Sequence, residues 1–329
     1  MKKFINAVDK VEDQMIQGMV KAYPQYVKKL DCGNVVVRAS KKQGKVALIS
    51  GGGSGHEPAH GGYVGEGMLD AAVAGAVFTS PTPDQVYEGI KAVATDAGVL
   101  MVIKNYTGDV MNFEMAADMA RDEGIKVAQV VVNDDVAVKD SLYTVGRRGV
   151  AGTVFVHKIA GAMAETGADL DAVQAMAQKV VDNVRTMGAA IEACIVPAAG
   201  KPGFELGEDE MEVGIGIHGE PGTHREKLRP ADEIVDMLME QILSDLDFVG
   251  QEVAVMINSS GATPLMELFI INNHVADVLA AKGVKVYKTF VGEYMTSIEM
   301  AGFSISLLKL DDQLKGLLDA KADTPGFKA

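Results

Sequence analysis

Chemistry-bearing side chains gather at a few places in the 329-residue sequence, each just after a short apolar run. The first is Gly51-Gly52-Gly53-Ser54-Gly55-His56-Glu57-Pro58. Closely spaced glycines let a backbone approach a ligand and adopt positive φ, and a plain turn needs only one or two of them. His56 closes the segment, where an imidazole can bind a ligand or move a proton. No Gly-Lys-Ser/Thr follows and no GxGxxG is present, so neither nucleotide fingerprint is met. His60, four residues on, invites a metal reading. No third ligand stands at suitable spacing, and the helical setting of H-E-x-x-H is missing, so no metal is expected.

The second place is Lys104-Asn105-Tyr106-Thr107-Gly108-Asp109, which brings together an amine, an amide, two hydroxyls and a carboxylate. Asp109 can serve as a general base or, standing before a helical pattern, as an N-cap. The third is His218-Gly219-Glu220-Pro221-Gly222, where His218 can act as acid, base or nucleophile. Glu220 either holds the other ring nitrogen or is a solvated turn residue. In Asn258-Ser259-Ser260-Gly261-Ala262-Thr263-Pro264 a helix cap, with Pro264 at the first helical position, is preferred to a binding loop. Phe78-Thr79-Ser80-Pro81 reads first as a cap and second as an anion contact. Asp134-Asp135 reads as a solvated pair before a magnesium site. His157, His224 and His274 read as structural or exposed.

These loops need strands to carry them. The expected strands are Lys45–Ser50, Gly98–Lys104 and Lys126–Asn133, then Met211–Ile217, Glu252–Asn258, Lys285–Val291 and Phe303–Leu310. VALI and VLMVI are continuously apolar, as buried strands are. Helical patterns alternate with them: one opened by Thr82-Pro83-Asp84-Gln85, with Gln85 completing a capping box, then Phe113–Glu123, Asp169–Arg185 and Ala231–Leu243. Alternation of this kind predicts an α/β fold of two domains, each a β-sheet flanked by helices. A chain of this length holds about two domains at roughly 150 residues each. The boundary is expected near 182, giving 1–182, with the first two loops, and 183–329, with His218. The polar tail Ala320–Ala329 is expected to pack loosely.

Hydrophobic residues make up 48% and charged residues 23%, which excludes disordered, collagen-like and coiled-coil chains. A net charge of −14 argues against nucleic acid; the densest basic cluster is only Gly146-Arg147-Arg148-Gly149. Cys32 and Cys194 form no metal or CxxC spacing and are expected to be buried, reduced thiols. The N-terminus meets Asp9 and Lys10 before an apolar run forms, and no window of 18 apolar residues occurs. A soluble cytoplasmic protein without membrane contact is expected.

In this order, GGGSGHEP at 51–58, FTSPTPD at 78–84, KNYTGD at 104–109, DDVAVKDSLYTVGRRG at 134–149, VPAAGKP at 196–202, GIHGEPG at 216–222, GATPLMEL at 261–268 and GFSISLLKLDD at 302–312 resemble the dihydroxyacetone kinase K family. The resemblance implies a homodimeric dihydroxyacetone-binding unit of two α/β domains. It implies that His218 holds the ketone as a covalent hemiaminal through the nitrogen remote from the backbone. It implies that Gly53, Ser54, Gly55, His56, Lys104, Asp109 and His218 bind substrate, with His56 and Asp109 activating the attacking hydroxyl. ATP-dependent members carry a further nucleotide-binding helical domain. A chain ending at 329 resembles instead the separate subunit of the phosphotransferase-system enzyme. There a nucleotide-binding L subunit carries ADP/ATP with magnesium, and a phosphocarrier M subunit recharges it, so no cofactor is expected on this chain. The alternative implied is a non-catalytic, ketone-sensing paralogue acting with a transcription regulator.

Overall fold

The computed structural model describes residues 2–139 and 144–329, so residues 140–143 of the 134–149 motif lie outside the described residues. Among the described residues there are two six-stranded sheets. The first takes β1 (Val27–Lys29), β2 (Val35–Arg38), β3 (Ala47–Ser54), β4 (Ala71–Val77), β5 (Val99–Lys104) and β6 (Val127–Val132). Their order is β1-β2-β4-β3-β5-β6; the last four run parallel and β1 and β2 pair antiparallel. The second takes β7 (Val184–Glu192), β8 (Glu210–Val213), β9 (His224–Lys227), β10 (Glu252–Ser259), β11 (Lys285–Gly292) and β12 (Ala301–Leu310). Their order is β11-β10-β12-β7-β8-β9, with β10 and β11 parallel and the other pairs antiparallel.

The helices are α1 (Val11–Ala22), α2 (Pro83–Val93), α3 (Thr107–Asp122), α4 (Thr153–Glu165), α5 (Leu170–Asn183), α6 (Ala231–Asp245), α7 (Leu265–Ala281) and α8 (Asp312–Asp319). Strand side chains alternate between faces, and the cores follow that alternation. Ile49, Val73 and Met101 pack under Ile90 of α2 and Phe113 of α3. Leu48 and Val102, on the opposite face, pack against Phe155 of α4 and Val180 of α5. The same core continues to Met256 and Leu308 of the second sheet and Leu314 of α8. Val255 and Leu307 face the other way, onto Leu238 of α6 and Val275 of α7. The architecture is therefore α/β, with two mixed sheets in a helix–sheet–helix–sheet–helix layering. Each fully buried aliphatic side chain in these layers contributes about 1.5–3 kcal/mol of apolar transfer.

Several boundaries differ from the sequence reading. β3 runs on through Gly51–Ser54, because Gly51, Gly52 and Gly53 still pair with Val73, Ala74 and Gly75 of β4. β8 ends at Val213, since Gly214 turns the chain at φ +73°. α3 begins six residues before Phe113. α5 ends at Asn183 and its next residues enter β7. The tail is ordered rather than loose: Thr324 and Phe327 are buried, Asp323 N–H donates to Glu66 O (2.9 Å) and Gly326 N–H to Gly62 O (2.7 Å). Cys194 is buried, but Cys32 is exposed. At α2 the expected signal holds, with Gln85 Oε1 accepting from Thr82 N–H (3.3 Å). The segment 258–264 leads into α7 as the cap reading expected, but Pro264 stands at the N-cap rather than the first helical position, and no side-chain cap is made. Thr263 Oγ1 instead donates to Gly302 O (2.6 Å). Among the described residues, no helix is long and apolar enough to cross a membrane.

Candidate active site

The carboxyl ends of β3 and β5 and the loop after β8 meet between the two sheets. Ligands bind in open α/β sheets at such strand ends. A cavity of about 410 Å³ opens there, lined by Gly53, Phe78, Ser80, Tyr106, Asp109 and His218. Gly53 is required by close approach: a Cβ would lie 2.5 Å from Thr79 N. Gly52, at φ +148°, clears the space between two charges, since its Cβ would lie 3.3 Å from both Asp109 Oδ2 and Lys104 Nζ.

His56 is fully buried, and its ring stacks on Phe78 at 5.2 Å and 17°. Its Nδ1 donates to Thr296 O (2.8 Å), since a carbonyl only accepts. Its Nε2 lies 3.0 Å from His218 Nε2. Burial, reinforced by Lys104 and His218, holds the His56 imidazole well below the usual histidine range. His218 presents its ring edge-on to Tyr106 (4.5 Å, 86°) and Phe78 (5.2 Å, 82°). Its Nδ1 faces Glu220 Oε1 at 3.1 Å, and its backbone N–H donates to Glu220 Oε2 (2.9 Å). Glu220 thus holds the other ring nitrogen and is buried rather than solvated. Burial would raise the Glu220 carboxyl, but His218 and Arg148 outweigh it and hold it at about 2.

Both Nδ1 atoms therefore carry hydrogen, one facing a carbonyl and one a carboxylate. The two Nε2 atoms face each other at 3.0 Å, next to the cavity wall that His218 forms.

Lys104 and Asp109 complete the site. Lys104 ends β5, fully buried, and neither its Nζ nor Asp109 Oδ1 has a hydrogen-bond partner within the chain. Burial lowers the Lys104 ammonium's pKa against the opposing pull of Asp109, Glu220 and Asp134. Asp109 is not an N-cap: Tyr106 is, and Asp109 stands in the first turn of α3, where the helix dipole favours a carboxylate. Ser54 turns away, its Oγ donating to Gly75 O (2.7 Å). Gly55 accepts through its carbonyl from Ile298 N–H (2.7 Å).

Other sequence candidates have different surroundings. Asp134 and Asp135 are buried, not solvated. Asp134 accepts from Val150 and Gly152 N–H (2.8 Å each), and Asp135 pairs with Arg148 at 2.6 Å. Arg148 is no surface charge; it is fully buried and also donates to Gly214 O (2.7 Å). It thereby braces the turn that delivers His218. His60 and His157 form a second buried pair, Nδ1 to Nε2 at 3.0 Å. Burial, with Lys104 nearby, lowers His157 to about 3. Among the described residues, no three metal-ligating side chains converge. His224 and His274 lie by Thr223 and Asp236 at the surface. The sequence reading missed Thr296 and Arg148 as supports, and Phe78 and Tyr106 as walls. The two aromatics stood inside motifs already singled out, whereas Thr296 has no local signature.

Residues 17–326 match the family profile of the Dak1 domain. The chain is 57% identical to the dihydroxyacetone-binding subunit of a PTS-dependent dihydroxyacetone kinase from Listeria innocua, over 95% of each chain. The crystal structure of the dihydroxyacetone kinase from C. freundii in complex with AMP-PNP and Mg2+ superposes with a TM-score of 0.93 at 36% identity; 99% of this chain covers 61% of that one. A dihydroxyacetone kinase operon co-activator superposes with a TM-score of 0.89 at 36% identity, covering 95% of this chain and 97% of that one. The profile match, the near full-length identity and the shared fold show that this chain belongs to the Dak1 family.

Proposed function

We propose that this chain is the dihydroxyacetone-binding subunit of a phosphotransferase-system-dependent dihydroxyacetone kinase. On this reading it holds the ketone as a hemiaminal on His218 and presents a hydroxyl to a phosphoryl donor carried by a partner. The observation that carries the reading is that His218, which lines the cavity together with Asp109, has buried His56 Nε2 3.0 Å from its own Nε2. Gly53 and Gly55 contribute backbone to the ketone pocket, Ser54 only its main chain, and Lys104 its free ammonium.

His218 Nε2 bonds to the carbonyl carbon, the C=O electron pair moves onto oxygen, and that oxygen takes a proton from solvent, relayed by His56 Nε2. His56 is neutral before and after, and the alkylated His218 ring, now cationic, keeps its Nδ1–H against the Glu220 carboxylate. Asp109, assisted by His56, then takes the proton of the terminal hydroxyl as its oxygen bonds to the donor's terminal phosphorus, while the phosphorus–oxygen bond to the nucleoside diphosphate breaks and its electron pair leaves with the diphosphate. Glycerol offers the same hydroxyls but no carbonyl, so the bond itself selects. Shape alone discriminates a small group by only ~1–3 kcal/mol. Phosphoryl transfer is mostly positioning and charge stabilisation, for which the anchored ketone supplies the positioning.

His56→Asn and Asp109→Asn are expected to lower kcat by about 10²–10⁴-fold, the usual worth of acid–base catalysis. Dihydroxyacetone binding at equilibrium should change far less. Steady-state kinetics with the partner subunits, alongside calorimetric titration of the ketone, separates the two. Near-normal turnover in either variant removes that residue from the chemistry. The co-activator likeness supports the second reading, a ketone sensor. Sensing needs His218, whereas transfer also needs His56 and Asp109, and all three are present. Turnover with the partners decides between them.

The reading includes two domains, 1–182 and 183–329, supported by each sheet drawing its strands from one side of that boundary. It also includes a homodimer. Leu265, Met266, Phe269 and Ile270 form an exposed apolar face on α7, 49–71% accessible, and Ile191 and Leu228 lie beside it. Such patches mark association surfaces. Phe269→Glu is expected to weaken the dimer by about 30-fold or more, as loss of an interface anchor does. Sedimentation velocity across a dilution series measures this; an unchanged dimer moves the interface elsewhere.

A further inference from the structure

The segment between β11 and β12 crosses from the second sheet to the His56 loop of the first. Thr296 meets that loop with three groups. Its carbonyl accepts from His56 Nδ1 (2.8 Å), its N–H donates to His56 O (3.2 Å) and its Oγ1 donates to Glu57 O (2.9 Å). Two residues on, Ile298 N–H donates to Gly55 O (2.7 Å).

The segment is tied back by Asn258, at the end of β10. Its Oδ1 accepts from Tyr294 N–H and Met295 N–H (2.9 Å each). Its Nδ2 donates to Met295 O (2.8 Å) and to Ser304 Oγ (3.2 Å). Tyr63 OH, in the link between β3 and β4, donates to Tyr294 O. Asn258 is 1% exposed, and all four of its bonds are satisfied. A buried polar network that is fully satisfied fixes one geometry.

Backbone strain collects at the same place. Among the described residues, Phe78 (φ +57°) and Ile298 (φ +56°) are the non-glycine residues with positive φ. Both press on Gly55, where a Cβ would lie 2.9 Å from the Phe78 ring and 3.1 Å from the Ile298 side chain. Conformations of this kind persist only where the surroundings over-determine them.

We propose that Asn258 and Thr296 are positioning residues for His56. They fix the ring so that Nδ1 keeps its proton on Thr296 and Nε2 faces His218 as an acceptor. The second sheet thereby sets the tautomer of an imidazole that the first sheet carries. The inference rests on the reading of His56 as the proton-handling partner of His218. It also gives the Asn258 segment a role that neither a cap nor a ligand contact supplies.

The test uses the full chain with its partner subunits and three variants: Thr296→Val, Thr296→Ser and Asn258→Ala. Nitrogen-15 NMR of the histidine side chains reports the His56 tautomer in the ketone-free protein, with His56→Asn assigning the signal. The parent should show a single Nδ1–H form. Thr296→Val and Asn258→Ala should mix the tautomers and lower kcat by about 10²-fold, the cost of roughly 1 Å of misplacement. KM for dihydroxyacetone should stay within about threefold, since positioning acts mainly on the chemical step. Thr296→Ser, which keeps the hydroxyl, should restore both readouts. A single Nδ1–H form in folded Thr296→Val, with normal kcat, overturns the proposal, as does Thr296→Ser behaving like Thr296→Val. Asn258→Ala leaves two buried N–H groups unpaired; if it does not fold, the two Thr296 variants decide alone. Mixed tautomers with unchanged kcat support the positioning role and overturn the proton-handling reading of His56.

Discussion

His218→Ala should leave the chain folded, abolish covalent ketone capture and lower turnover by at least about 10⁴-fold. The magnitude follows from what the bond does. Tethering a reactant in near-attack geometry is worth ~7–11 kcal/mol, and each 1.36 kcal/mol is about tenfold in rate. The fold should survive because His218 lies in a loop, outside the strands and helices. Glu220 keeps the His218 backbone N–H and Arg148 as stabilising neighbours after the imidazole is gone. A crystal of the parent soaked with dihydroxyacetone should show continuous density between Nε2 and the ketone carbon, and the variant should show none. Thermal unfolding of both proteins separates lost chemistry from lost structure. A ketone bound elsewhere, or turnover retained in the folded variant, would falsify the covalent reading.

What was legible in the sequence was what is local. Continuous apolar runs marked β3 and β5, and the residues at their ends marked the site, because parallel strands deliver their following loops to one edge. His218 was legible for the same reason, although β8 ends at Val213, before Gly214 and four residues short of the expected strand end. The chemistry was less legible where a short range offered two readings. Asp109 fitted both a cap and a base, and only the start of α3 at Thr107 places it inside the first turn. Long-range partners left no local trace. Arg148 entered only as part of a basic cluster, because its partners Asp135 and Gly214 come from other loops. The tail looked loose because its hydrogen bonds are made to residues 62 and 66. Ala71–Val77 and Val184–Glu192 went unassigned as strands because small residues weaken the apolar signal, while their burial comes from both neighbouring strands.

The largest all-or-none effect concerns the phosphoryl donor. Transfer requires groups that cradle the donor's phosphates and neutralise charge as it develops. Neither a Walker pattern nor a kinase glycine loop with its lysine occurs in these 329 residues. A net charge of −14 also opposes incidental capture of ATP. A purified chain of this sequence, given ATP, magnesium and dihydroxyacetone, is therefore expected to make no phosphorylated product. Adding a nucleotide-carrying partner and its phosphocarrier should restore turnover, measured by coupled reduction of dihydroxyacetone phosphate. On the proposed reading the donor must reach a hydroxyl anchored at His218, so the docking face should surround the cavity mouth. Met111 and Met115 are exposed on α3, 56% and 55%, two and six residues beyond Asp109. Adaptable methionines of this kind suit a surface that engages and releases a partner. Met111→Glu with Met115→Glu should raise the partner concentration needed for half-maximal rate by roughly 30-fold, the loss expected of a central interface anchor. Ketone capture should be unaffected, because neither side chain lines the cavity. ATP-dependent turnover by the isolated chain, persisting after traces of partner are removed, would sink this account and place the donor site within the chain itself.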